Sequence, residues 1–189
     1  RQYLNLGFIP EPHTIFRNIH AIRPGYFLKF PSNKKSIYKS FYSYRFDNIN
    51  SQSFNYNFNK TLSLLDNAVK RNLVADVNVS MSLSGGIDSS LIYYFAKKHN
   101  PNILAKTISF SADNTYDESN ISRVYSKELD GEHTFDDVGS RIDLDMIDKI
   151  FLHFDQPYAD SSAIPVFLLN KSVASTSKVI IGGDGGDEL

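Results

Sequence analysis

An α/β fold built on a doubly wound parallel sheet is predicted from Lys60 onward, preceded by a short β-rich segment. Three observations predict it. Apolar residues switch repeatedly between period-two spacing and three-to-four spacing, the signatures of strand and helix. The inferred strands are separated by helix-length segments, which calls for right-handed crossovers between parallel strands. Two of those strands run straight into glycine-rich loops, the places where such sheets hold ligands. Composition agrees with an ordinary globular chain: 41% of the 189 residues are hydrophobic and 22% charged.

The elements follow in order. Phe8–Pro12 carries two prolines and reads as extended or turn. Thr14–Ile19 and Tyr26–Phe30 flank the Arg23-Pro24-Gly25 turn and predict a hairpin, and Ile37–Phe46 predicts one more strand. Residues 1–46 are too few to bury a core and read as the C-terminal tail of a β-rich domain. Residues 47–59, dominated by Asn and Ser, read as a linker because those side chains compete for backbone hydrogen bonds.

Residues 60–189 carry the α/β pattern. Leu62, Leu65, Ala68, Val69 and Leu73 predict a helix over Lys60–Ala75. Val77, Val79, Met81 and Leu83 predict a strand, although Asn78, Ser80 and Ser82 make it more polar than a strand covered on both faces. Helix Asp88–His99 stops at Asn100-Pro101. A strand over Ile103–Phe110, a helix over Asp117–Leu129 and a short strand at Glu132–Phe135 come next. Helices over Arg141–His153 and Ile164–Ala174 and a last strand, Val179–Ile181, complete the pattern. The chain opens on Arg1 and stops at Gly-Asp-Glu-Leu beside a glycine-rich turn, so both ends are expected to be cuts.

Composition excludes several function classes. With no cysteine there is no disulfide framework, no cysteine-ligated zinc or iron–sulfur site and no cysteine nucleophile in these residues. Twenty basic against 21 acidic residues give a net charge of −1, so no general basic field is offered to a nucleic acid. No apolar run approaches the roughly 20 residues that cross a bilayer. Neither a nucleic acid nor a membrane is expected as a partner. The five histidines (13, 20, 99, 133 and 153) show no ligand spacing and read as structural.

Two loops carry the chemistry. Leu83-Ser84-Gly85-Gly86-Ile87-Asp88-Ser89-Ser90 joins a strand to a helix. Its glycines allow close backbone approach, the helix amides favour an anion, and three serine hydroxyls add donors. Asp88 would repel a phosphate unless a cation lies between them, which suggests pyrophosphate with Mg2+. The plainer alternative is a tight turn with Ser/Asp caps. A Gly-Lys-Ser/Thr Walker signature is absent. The second loop, Gly182-Gly183-Asp184-Gly185-Gly186-Asp187-Glu188, interleaves four glycines with acids that suit a metal. Between the loops, Asp160-Ser161-Ser162 ahead of an apolar helix reads first as an N-cap.

In this order SLSGGIDSS, TISFSADNTYDES, DQPYADSSAIP and VIIGGDGGDEL resemble class B, glutamine-hydrolysing asparagine synthetases. The opening LGFIPEPHTIFRNIHAIRPGYFLKF resembles the end of that family's N-terminal glutaminase domain. The resemblance implies a PP-loop ATP pyrophosphatase fold of the adenine nucleotide α-hydrolase type. It implies a ligase that adenylates the aspartate β-carboxylate, releases pyrophosphate and admits glutamine-derived ammonia. It carries over Leu83, Ser84, Gly85, Gly86, Asp88, Ser89, Ser90, Phe110, Gly182 and Gly183 as ATP or pyrophosphate contacts, with Asp88 and Asp187 as Mg2+ ligands. Asp184 takes the role of proton acceptor or electrostatic stabiliser. ATP and Mg2+ are thus the implied cofactors; aspartate and glutamine or ammonia are the implied partners, the location is cytoplasmic, and a homodimer is admitted for the full-length protein.

Departures from the family pattern stand at three positions: Gly182 where Ser is common, Gln156 where Glu is frequent, and Asp184 where well-studied members have Glu, although other members share the Asp. The glutaminase nucleophile and the pyrophosphate-binding lysine of the family lie outside the 189 residues. Two other readings remain open on the residues alone: a relative adenylating another carboxylate, of β-lactam synthetase or peptide-modifying type, and a degenerate nucleotide-binding module.

Overall fold

Residues 1–44, 51–110, 117–137 and 142–186 are described by a computed structural model. They divide into two units, Arg1–Ser51 with Asp145–Ser161, and Gln52–Leu144 with Ser162–Leu189. The element order is α1 (Gln2–Leu6), β1 (Tyr26–Lys29), β2 (Ile37–Ser40), α2 (Phe54–Asn72), β3 (Val79–Ser82), α3 (Ile87–His99), β4 (Leu104–Ser109), α4 (Ser119–Glu128), β5 (His133–Asp137), α5 (Leu144–His153), α6 (Ala163–Val173) and β6 (Val179–Ile181).

In the first unit the hairpin forms with a different partner from the expected one. β1 pairs antiparallel with β2, from Tyr26↔Ser40 to Lys29↔Ile37, and Thr14–Ile19 contains no strand. Local hydrogen bonding explains the change. The Thr14 hydroxyl lies 2.7 Å from the Ile19 carbonyl, the Phe16 amide donates back to Thr14 Oγ1 at 3.2 Å, and Asn18 takes φ 63°. A segment folded on itself in this way cannot extend into a ladder. β1 and β2 are further tied by stacking of Tyr26 on Tyr38, ring centroids 4.9 Å apart.

The second unit holds a four-stranded sheet of order β5-β4-β3-β6, parallel throughout. Met81 is in register with Ala105 on one side and Ile181 on the other. From β3 the chain steps outward through β4 to β5, whereas β6 lies on β3's opposite flank, so strand order reverses at β3. Helices cover both faces. Met81, Leu83 and Ala105 join Val69 of α2 and Tyr93, Phe95 and Ala96 of α3 in one buried cluster. Lys106, next along β4, points the other way and donates from Nζ to Ser172 of α6 at 3.0 Å.

That alternation accounts for the polar residues in β3. Ser80 is fully buried, and its hydroxyl pairs with that of Ser177 at 2.5 Å. A small hydroxyl with a partner fits where an apolar residue was expected. Helix α2 begins at Phe54, within the stretch read as linker, and ends at Asn72 rather than Ala75. Ser53 caps it by accepting the Tyr56 amide at 3.3 Å, and Phe54 stacks on Phe58 with centroids 6.1 Å apart. A good cap and an aromatic i,i+4 pair outweigh the weak helix propensity of the asparagines. Asp66 of α2 accepts from Lys98 and His99 of α3, each at 2.6 Å, which fixes the two helices against each other.

Candidate functional site

Strand order reverses at β3, and the loops leaving β3 and β6 meet there, as expected at a topological switch point. Together Ser82, Ser84, Gly86, Asp88, Ser89, Gly183, Asp184, Gly185 and Gly186 line a cleft of about 350 Å3. Gly86 is the N-cap of α3 in an extended conformation, with no side-chain cap. The first amides of α3 therefore lack intrahelical partners, and the macrodipole adds positive potential at the cleft.

The serines hold the first loop in shape. Ser84 Oγ accepts the Gly86 amide at 3.2 Å and lies 2.9 Å from Ser89 Oγ. The Ser89 and Ser90 hydroxyls donate to the Gly86 carbonyl at 3.1 and 2.8 Å. Hydroxyls read in the sequence as donors to a ligand are thus spent largely on preorganising the loop. Ser90 does so without bordering the cleft. Gly85 adopts φ 94°, and a Cβ there would lie 3.0 Å from the Glu118 carbonyl oxygen and 3.2 Å from Ile121 Cβ, so glycine lets the loop seat on α4.

The acidic loop closes on the start of α3. A Cβ at Gly183 would fall 2.7 Å from the Ser89 nitrogen, and one at Gly186 2.7 Å from Asp88 Cγ. Asp88 thus borders the cleft close against the second loop, and Asp184 lines the same cleft. Asp187 lies outside the described residues. Among the described residues no group of three or more His, Cys, Asp or Glu is arranged to hold a metal.

A narrower slot of about 190 Å3 adjoins the cleft and shares Ser82 and Ser84 with it. Its walls are mainly apolar, from Ile108, Phe110, Pro165, Val166 and Leu169, with Thr107 and Glu118 as polar members. Phe110, expected as a nucleotide contact, lies on the slot wall. Leu83 backs the slot from beneath: it is fully buried, its amide donates to the Lys106 carbonyl at 3.0 Å, and its carbonyl accepts from Thr107 Oγ1. Ser82, Thr107 and Glu118 went unassigned in the sequence. Ser82 had a visible signal, a polar residue at the end of β3 just before the glycine-rich loop; Glu118 had none, because its place depends on how α4 packs.

Behind the slot, His133 of β5 approaches Thr107 Oγ1 through Nε2 and Ser126 Oγ through Nδ1, both at 2.7 Å. Thr107 Oγ1 also donates to the Leu83 carbonyl and Ser126 Oγ to the Arg123 carbonyl, so His133 links both hydroxyls in one network. Burial, then the charge of Arg123, pushes its pKa down from 6.5 to about 4, which keeps the ring neutral. Within Asp160-Ser161-Ser162, the stretch read as an N-cap, Ser162 is the N-cap of α6, without a side-chain cap bond, while Asp160 accepts the Tyr158 hydroxyl at 3.0 Å, a bond that raises the Tyr158 pKa.

Comparison with known proteins places this geometry in context. The family model described as asparagine synthase matches residues 60–189. An asparagine synthetase [glutamine-hydrolyzing] 1 of Bacillus subtilis is 26% identical over 189 residues, covering 100% of this chain and 30% of its own length. An asparagine synthetase [glutamine-hydrolyzing] 3 of the same organism is 38% identical over 103 residues, 52% of this chain and 16% of its own. A solved glutamine-dependent NAD+ synthetase from Acinetobacter baumannii is 16% identical, covering 81% of this chain and 29% of that one with TM-score 0.49. The chain spans about three-tenths of the length of the curated relatives it matches end to end.

Proposed function

Because the chain belongs to the asparagine synthase family, we propose that it carries the ATP-binding part of an amide-forming ligase of asparagine synthetase type. One observation supports this most: two glycine-rich loops remote in sequence share a cleft, and an apolar slot opens from it. The cleft suits a triphosphate tail and the slot a planar base. Residues 60–189 are then the synthetase domain, and residues 1–46 the tail of a glutaminase-like domain.

In the proposed reaction an oxygen of the aspartate side-chain carboxylate attacks the α-phosphorus of ATP. The bond from that phosphorus to the bridging oxygen breaks, and pyrophosphate leaves with the electron pair. The α3 amides meet its growing charge in a loop already held by Ser84, Ser89 and Ser90. Ammonia derived from glutamine then attacks the acyl carbon of the aspartyl adenylate, gives up a proton and displaces AMP, leaving asparagine. Asp184, on the cleft wall, is the acceptor assigned to that proton.

Mg2+ suits the donor set, since it commonly takes one or two carboxylates together with phosphate oxygens. Asp88 would hold it with Asp187, and when bound it supplies charge neutralisation at the leaving pyrophosphate. Cytoplasmic location and a homodimer belong to the same reading; among the described residues no helix is long and apolar enough to cross a membrane.

ATP–pyrophosphate exchange on the full-length protein tests the proposal. Exchange should require aspartate and Mg2+ and fall at least about a hundredfold in Asp88→Asn, on the scale of losing a positioned charge partner. Exchange with a different acid and none with aspartate would move the assignment to a related ligase. Nucleotide binding with no exchange under any acid would leave a binding module.

A further inference from the structure

The glycines of the second loop fall into separate classes, and Gly182 stands apart from the others. Gly185 is required by its backbone, at φ 89°. Gly183 is required by approach to the Asp88–Ser89 backbone, and Gly186 by approach to the Asp88 carboxylate. Gly182 has no left-handed φ, and no backbone atom crowds it. The nearest atom to a Cβ built there is Asp184 Oδ2, at 2.9 Å, with Cγ at 3.8 Å and Ser82 Cβ at 3.9 Å.

We infer that Gly182 is a positioning residue for Asp184: the side chain missing at 182 leaves the space into which the Asp184 carboxylate folds, beside Ser82 where the cleft meets the slot. The inference rests on the function proposed above. An acid one methylene shorter reaches less far, and a neighbour lacking Cβ lets it turn inward over the strand end. Any side chain at 182 forces the carboxylate off this position. Since the displaced atoms are the free end of a rotatable side chain, the loop itself keeps its path.

A double-mutant cycle on the full-length protein tests this, with amide formation and ATP–pyrophosphate exchange measured side by side. Gly182→Ala is expected to lower the ratio of amide formation to exchange about tenfold, and Asp184→Asn to lower it further. The double variant should be no worse than Asp184→Asn, because the alanine acts only through the carboxylate. Gly182→Ala with Asp184→Glu should regain activity relative to Gly182→Ala alone, the longer acid clearing the new methyl group. Additive losses, or a Gly182→Ala ratio equal to wild type, overturn the inference. If Gly182→Ala is poorly folded, the change in ratio caused by Asp184→Glu is compared between wild-type and Gly182→Ser backgrounds; a gain confined to the Gly182→Ser background is expected, and the same change in both overturns the inference. Wild-type protein with no aspartate-dependent exchange would instead defeat the functional reading beneath it.

Discussion

At the scale of single residues, the site is made by atoms that are absent. Gly183 and Gly185 neighbour each other in one loop, yet substitution should act on them differently. A methyl group on Gly183 meets the Ser89 nitrogen at 2.7 Å and the Asp88 carbonyl carbon at 2.9 Å, fixed atoms that cannot rotate away. Gly183→Ala should therefore cost about 1–3 kcal/mol in denaturant unfolding. It should also weaken ATP binding, because the loops must part. Gly185→Ala meets open space and bears only the strain of φ 89°, about 1–2 kcal/mol. It should leave a larger share of ATP affinity intact, and equal losses of affinity in the two would contradict this ordering. The string GGDGG led to the expectation that a ligand lies against this backbone, but it does not say which glycine answers which neighbour. That is decided by the register of β6 on β3.

His133 gives a second prediction at this scale. Its folded pKa of about 4 lies below the unfolded 6.5, so the unfolded chain binds the proton more tightly. The stability His133 contributes is complete above pH 6.5 and is lost as pH falls towards 4. Unfolding free energy should drop across that window in wild type and more shallowly in His133→Gln. Parallel slopes for the two proteins would show that other groups set the acid response.

At the scale of elements, the sequence showed most of what periodicity controls. β6 has its expected bounds, and β4, α3, α4 and α6 lie within two residues of theirs at each end. It missed what local hydrogen bonding and capping control. Thr14 and Asn18 folded a predicted strand back on itself, and Ser53 started a helix inside a stretch that composition gave to a linker. The polar residues of β3 weakened its reading as a buried strand, because the Ser177 partner of Ser80 lies far along the chain. α3 holds the opposite case. Tyr93 is fully buried, and its hydroxyl has no hydrogen-bond partner among the described residues. It presses on Gly131, where any Cβ would collide with that oxygen. Burial alone raises its pKa, as expected for a phenol in an apolar site. Tyr93→Phe should thus stabilise the protein by about 1 kcal/mol, read as a higher denaturation midpoint at unchanged slope. A loss of stability would mean that the hydroxyl is bonded after all.

At the scale of the whole molecule, the buried apolar side chains are unevenly shared. Val69, Met81, Leu83, Tyr93, Phe95, Ala96, Ile103, Ala105 and Val173 belong to the second unit, and Met146 and Ile150 of α5 to the first. Residues 1–44 contribute none, although Phe16, Phe27, Phe30 and Phe41 lie among them, all exposed. Local stability follows buried contact, so the two units should open with different free energies. In hydrogen exchange on the 189-residue chain, amides of β1 and β2 should exchange within the fast class. Those of β3 and β4, laddered on both sides and packed under α3, should be the slowest. A brief protease treatment should cut first within residues 1–51 and leave the residues of the cleft in one piece. Equal protection of the two sheets would mean that residues 1–44 draw stability from contacts other than their own apolar burial.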